Sequence, residues 1–198
     1  MFLGDTYVQP NNNQEQWMYK TQNILNTDID SLALNGTALE FTYQRFNIAR
    51  KKIAANDVMV IALTDFDRRW FFKSNPEFAK EDTSPTNDKK ENKAISLFRK
   101  YLDHKEIYRI YLIDFLYNIH ALTEDLNLHT IILPDFEDTK EFFADKKDLF
   151  PLFKIAEGTL SSVANISDEN LNFISADRHA ILADKILNNI KNNTPVNL

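Results

Sequence analysis

Short, wholly apolar runs alternate along the chain with longer stretches whose apolar residues recur every three or four positions. That rhythm carries most of what the sequence says about fold. The clearest run is "DVMVIALT", continuously apolar from Val58 to Leu63, as expected for a strand covered on both faces. "HTIILPDF" repeats the pattern and is closed by Pro134. Met1–Leu3 reads as a strand remnant, while "DIDSLALNG" alternates weakly, stops at Gly36 and reads as a second strand. Helical spacing sets in between them. "QEQWMYKTQNILN" places Trp17, Ile24 and Leu25 on helical positions behind Asn11–Asn13, which offer N-caps. "ALEFTYQRFNIARKKIAAND" is an amphipathic helix with Phe41, Ile48 and Ile53 facing inward.

Residues 73–93 then turn polar with two prolines and read as a loop excursion. A long helical region follows, "AISLFRKYLDHKEIYRIYLIDFLYNIHALTEDLN", broken near Asp103-His104. "DTKEFFADKKDLFPLFKI" is mixed, "GTLSSVAN" reads as a last short strand, and "ADRHAILADKILNNIKNN" closes the chain as an amphipathic helix. Strands alternating with helices predict a mostly parallel sheet with helices on both faces, a three-layer α/β domain spanning residues 1–198. In such sheets ligands bind at the carboxyl ends of the strands, so the turns after Leu3, Leu34 and Leu63 are the places to look.

Composition narrows the partners. The 198 residues, 43% hydrophobic and 26% charged, suit one globular core. A net charge of −6 without a block of Lys and Arg argues against a nucleic-acid surface. No apolar run is long enough to span a bilayer, and the first residues lack the pattern of a signal peptide, so a cytoplasmic location is expected. There is no cysteine, and no two histidines have metal-ligand spacing; neither metal nor cofactor is expected. Only 3 glycines occur, so each is expected where a side chain would not fit. Nothing in the sequence sets an oligomeric state.

Four short blocks carry the candidate chemistry. Gly4-Asp5-Thr6 follows the first strand, Asn35-Gly36 the second, and Thr64 with Arg68 the third; near the end stands "NFISADRHAILADKI". In that order they resemble the SGNH (GDSL) hydrolases, esterases and acylhydrolases with a flavodoxin-like sheet. Gly4-Asp5-Thr6 is similar to the Gly-Asp-Ser of the first block, and Gly36 to the glycine of the second. Thr64 and Arg68 are similar to a phage-type subset that carries Thr and Arg where others have Gly-x-Asn-Asp. Ser175, His179, Leu182 and Ala183 fall in register with that subset's last block. The resemblance implies Thr6 as the nucleophile position, Gly36, Thr64 and Arg68 as oxyanion or substrate contacts, and an acylated or glycan ligand.

The same register puts Phe173 where the catalytic His belongs and Asn170 where its acid belongs. A serine-type relay needs a base that takes the hydroxyl proton and an acid that orients the base. Thr6 keeps a hydroxyl but adds a methyl that restricts χ1. Phe173 cannot move a proton, and loss of the base costs on the order of 10⁶ in kcat in a serine protease. Three readings follow: a degraded hydrolase-like binding domain, an esterase or deacylase using Thr6 and His179, or an interaction or assembly protein. In the second, Asp177 or Asp168 orients His179; otherwise His179 is a polar residue at a helix start. The third predicts no open pocket beside Thr6 and a large apolar patch elsewhere.

Overall fold

The computed structural model describes residues 1–4, 16–28, 30–33, 38–64, 89–101, 104–163, 174 and 176–198. Its centre is a parallel sheet of four strands in the spatial order β1 (Phe2–Leu3), β2 (Val58–Leu63), β3 (His129–Pro134), β4 (Lys154–Ile155). The β2–β3 ladder runs without a break from Val58 opposite His129 to Leu63 opposite Pro134. Both strands are the continuous apolar runs of the sequence, and residues 59–63 and 130–134 are all buried.

Alternation along β2 divides the core in two. Leu3, Met59, Ile61, Leu63 and Ile132 face one layer. It is built from α2 (Leu39–Ala49), α4 (Lys105–Leu126) and α5 (Glu137–Ala144), with Phe46, Phe115 and Phe143 at its centre. Phe2, Val60, Ala62, Ile131 and Leu133 face the other. There α1 (Trp17–Leu25), α6 (Leu160–Val163) and α7 (Ala176–Asn192) supply Trp17, Leu160, Leu182 and Ile186. The result is a three-layer, flavodoxin-like α/β fold. The remaining helix, α3 (Lys89–Tyr101), precedes α4, whose N-cap is His104, close to the expected break. It begins at Lys89, so the last five residues of the stretch read as a polar excursion are helical; residues 73–88 lie outside the described set.

Three expectations need correction. Among the described residues of the weak strand at 28–36, pairing amounts to one bridge, Ser31 to Phe2, held by Phe2 N–H to Asp30 O (2.9 Å) and Leu32 N–H to Phe2 O (3.0 Å). Its neighbour β1 has only two residues, too short to template a longer strand. "GTLSSVAN" is not a strand: Thr159 Oγ accepts the Ser162 N–H at 3.2 Å and starts the short helix α6. Ile48 is 58% exposed, because the buried stripe of α2 runs through Leu39, Thr42, Phe46 and Ala49. Ile24 is 52% exposed, since Trp17, Met18 and Thr21 define the inner arc of α1. It borders a groove toward Ala180 and Ala183 of α7 instead.

The scarcity of glycine has a structural counterpart. Helices α1 and α4 end on Asn26 and Asn127, both at φ 51°, in the left-handed position that glycine usually fills. Two of the three glycines do sit at positive φ: Gly4 at 135° and Gly158 at 109°. A Cβ on Gly158 would also meet the Leu198 carbonyl oxygen at 2.8 Å.

The two faces of the helices can be tested directly. Phe115→Ala is expected to destabilise the fold by about 3–5 kcal/mol, and Ile48→Ala by no more than about 0.5 kcal/mol. Urea unfolding of the two variants side by side measures both.

Candidate functional site

The strand order fixes where a site can lie. Residues 30–32 pair outward from β1 on one side, while β2, β3 and β4 follow on the other. The chain therefore reverses its direction of build between β1 and β2. In open α/β sheets that switch point, at the carboxyl ends of the strands, is where ligands bind. Leu3 pairs with Ile61, so Gly4 follows β1 and Thr64 follows β2 at that edge. Gly4 is buried, and Thr64 is only 3% exposed, with its carbonyl accepting the Thr139 hydroxyl at 3.1 Å.

Sequence reasoning missed one acidic residue of this edge. Leu63 pairs with Pro134, so Asp135 is the next residue out on β3, beside Thr64. Asp135 is fully buried. Its N–H donates to Leu63 O and its carbonyl accepts the Ser161 N–H, both at 2.9 Å. A fully buried aspartate is rare and belongs where charge or hydrogen bonding is organised. The available signal was its place straight after a continuously apolar strand, in "IILPD".

His179 reaches the same end of the molecule by another route. Its helix α7 packs along α1, and the far ends of these two helices, at Leu25 and Ile190, line a cavity with Met1 and Val58 at the amino edge. Their first turns thus lie toward the carboxyl edge. There the His179 Nδ1 accepts the backbone N–H of Trp17 at 3.4 Å, a long hydrogen bond. Trp17 is the first residue of α1, and Gln16 before it makes no side-chain cap. The imidazole serves one of the donors that a helix start leaves without an intrahelical partner. Accepting at Nδ1 puts the proton of the neutral ring on Nε2. Burial, and secondarily the charge of Lys20, hold the His179 pKa below its ordinary 6.5. Arg178, one residue earlier, donates to the Val163 carbonyl and ties the start of α7 to the end of α6.

Of the other sequence candidates, Asp177 is exposed on the first turn of α7. Asp5, Thr6, Gly36, Arg68, Asp168, Asn170, Phe173 and Ser175 lie outside the described residues. Two other histidines have structural surroundings. His129 Nε2 meets Asn189 Oδ1 at 2.7 Å, and His120 packs on the rings of Phe150 and Phe153. Among the described residues no group of His, Asp and Glu is arranged to hold a metal ion, and no helix is long and apolar enough to cross a membrane. The cavity at the amino edge, about 430 Å³, lies across the sheet from Gly4 and Thr64.

Fold and edge together define a flavodoxin-like α/β protein with a polar switch point built on Gly4, Thr64 and Asp135. The chain matches no protein-family model, no curated protein and no solved structure.

The pKa of His179 gives a pH test. A histidine held below its unfolded value favours the neutral form when folded, so its contribution is complete above about pH 6.5. That contribution is lost as pH falls through 6.5 toward the folded pKa. The melting temperature is expected to drop between pH 7.5 and 5.5, and His179→Gln to flatten that drop. Thermal melts of both proteins across the range measure it.

Proposed function

We propose that the protein is an SGNH-hydrolase-like domain whose proton relay is degraded, and that its carboxyl edge binds an acylated or glycan ligand with weak or absent catalysis. The observation that carries this reading is the engagement of His179. Its Nδ1 lone pair is directed at the Trp17 N–H, and its Nε2 carries the proton, so neither nitrogen is set to take a proton from a hydroxyl. The position that would hold the base in the resemblance is Phe173, which has no titratable group. The switch-point edge itself supports a binding role. Buried Asp135 and Thr64 at the ends of adjacent strands give it a fixed polar floor.

A working esterase remains the second reading. One observation favours it: α7 brings His179 toward the edge where Gly4 leads into Thr6.

Hydrolysis of a small activated acyl ester by the wild-type protein and by Thr6→Ala, at matched concentration, separates the two. Equal background rates are expected. Turnover that Thr6→Ala abolishes, with the melting temperature unchanged, would establish the second reading.

A further inference from the structure

Helix α3 is strongly amphipathic. Ala94, Leu97, Phe98 and Tyr101 recur at spacings of three and four and form a single apolar stripe. Among the described residues, none of α3 enters either buried cluster beside the sheet. Leu97 is 47% and Tyr101 60% exposed, Ala94 is exposed, and Phe98 is half-buried. A helix of 13 residues is marginal in water unless its apolar face packs on something. The stripe therefore calls for a partner outside the described core.

The charge of the same helix indicates the chemistry of that partner. Lys89, Lys90, Lys93, Arg99 and Lys100 stand against Glu91 alone, an excess of +4 on a chain whose total is −6. Lys93 and Lys100 are exposed and seven residues apart, so both fall on one flank of the stripe. The Lys100 ammonium lies 5.0 Å from the centre of the Tyr101 ring, at the border between charge and stripe. Lysines so placed lay their methylenes along an apolar face and keep their heads in a polar layer. A nucleic acid would use the charge and leave the stripe in water. A bilayer with anionic headgroups uses both.

We propose that α3 docks on an anionic lipid surface, lying in the headgroup plane. Ala94, Leu97, Phe98 and Tyr101 face the acyl chains, and Lys93 and Lys100 meet the lipid phosphates. The helix is about 20 Å long, enough to lie along the surface and too short to cross it. Its four apolar residues are few for an anchor, so insertion and electrostatic attraction are both required and binding is reversible. Removing either the stripe or its basic flank is then sufficient to release the protein. The docking does not depend on the chemistry at the carboxyl edge.

Co-sedimentation of the full chain with phosphatidylglycerol vesicles, and separately with phosphatidylcholine vesicles, tests this. Binding to the first alone is expected, and added salt should weaken it. Leu97→Glu should lower the affinity at least tenfold, with an unchanged melting temperature because the side chain is exposed. Lys93→Ser and Lys100→Ser should each lower it about fivefold. Equal sedimentation with both vesicle types, or with neither, overturns the proposal. So does phosphatidylglycerol binding that Leu97→Glu leaves intact. Binding to a DNA duplex with an affinity that Leu97→Glu does not change also overturns it and assigns the basic residues to a phosphate polymer.

Discussion

The parallel pairing of β2 with β3 is the constraint on which the rest of the structure depends. Neither strand has a polar face, so each must be covered on both sides, and no two-layer arrangement achieves that. Met59, Ile61 and Leu63 draw the helices carrying Phe46 and Phe115 to one side. Val60 and Ala62 draw those carrying Trp17 and Ile186 to the other. The crossover helices then return the chain to the amino edge, and the carboxyl edge is left to the loops. The position of the candidate site is thus a consequence of how two buried six-residue strands are covered, before any catalytic residue is considered.

This dependence explains what was legible in the sequence. The continuous runs at 58–63 and 129–134 identified the central strands, because burial on both faces leaves no other pattern. The helix faces were harder. In α2 the buried stripe includes Thr42 and Ala49, which do not read as core, while exposed Ile48 does. "GTLSSVAN" was misread because the Thr159 hydroxyl cap, a local interaction, outweighs the β-branched character of the stretch. At the site, the alternation of strands and helices pointed to the carboxyl edge, and Gly4 and Thr64 lie there. Asp135 escaped because an aspartate after a strand is usually a turn residue, and only the register shows that it is buried beside Thr64. The role of His179 was partly visible as a polar residue at a helix start. The helix end it actually serves belongs to α1, far away in sequence, and no local pattern encodes that contact.

Two surfaces therefore divide the molecule's polar and apolar character. The carboxyl edge collects buried polar groups, Thr64 and Asp135, at a switch point set by topology. The stripe of α3 collects exposed apolar ones in a line set by helical periodicity. A side chain that caps a helix and one that serves a relay can occupy the same place in a fold, and the tautomer decides between them. In this protein His179 Nδ1 faces the Trp17 N–H at the start of α1, the arrangement of a cap.

The brevity of β1 has a consequence in time as well as in space. Among the described strands it comes earliest in the sequence, and both its neighbours in the sheet, residues 30–32 and β2, come later in the chain. Only two residues anchor it, and its pairing with β2 closes a long loop for little immediate return. The topology implies that the contacts among β2, α4 and β3 consolidate first and that β1 docks onto a sheet already in place. The edge that carries Gly4 beside β2 would then be among the last parts of the protein to form.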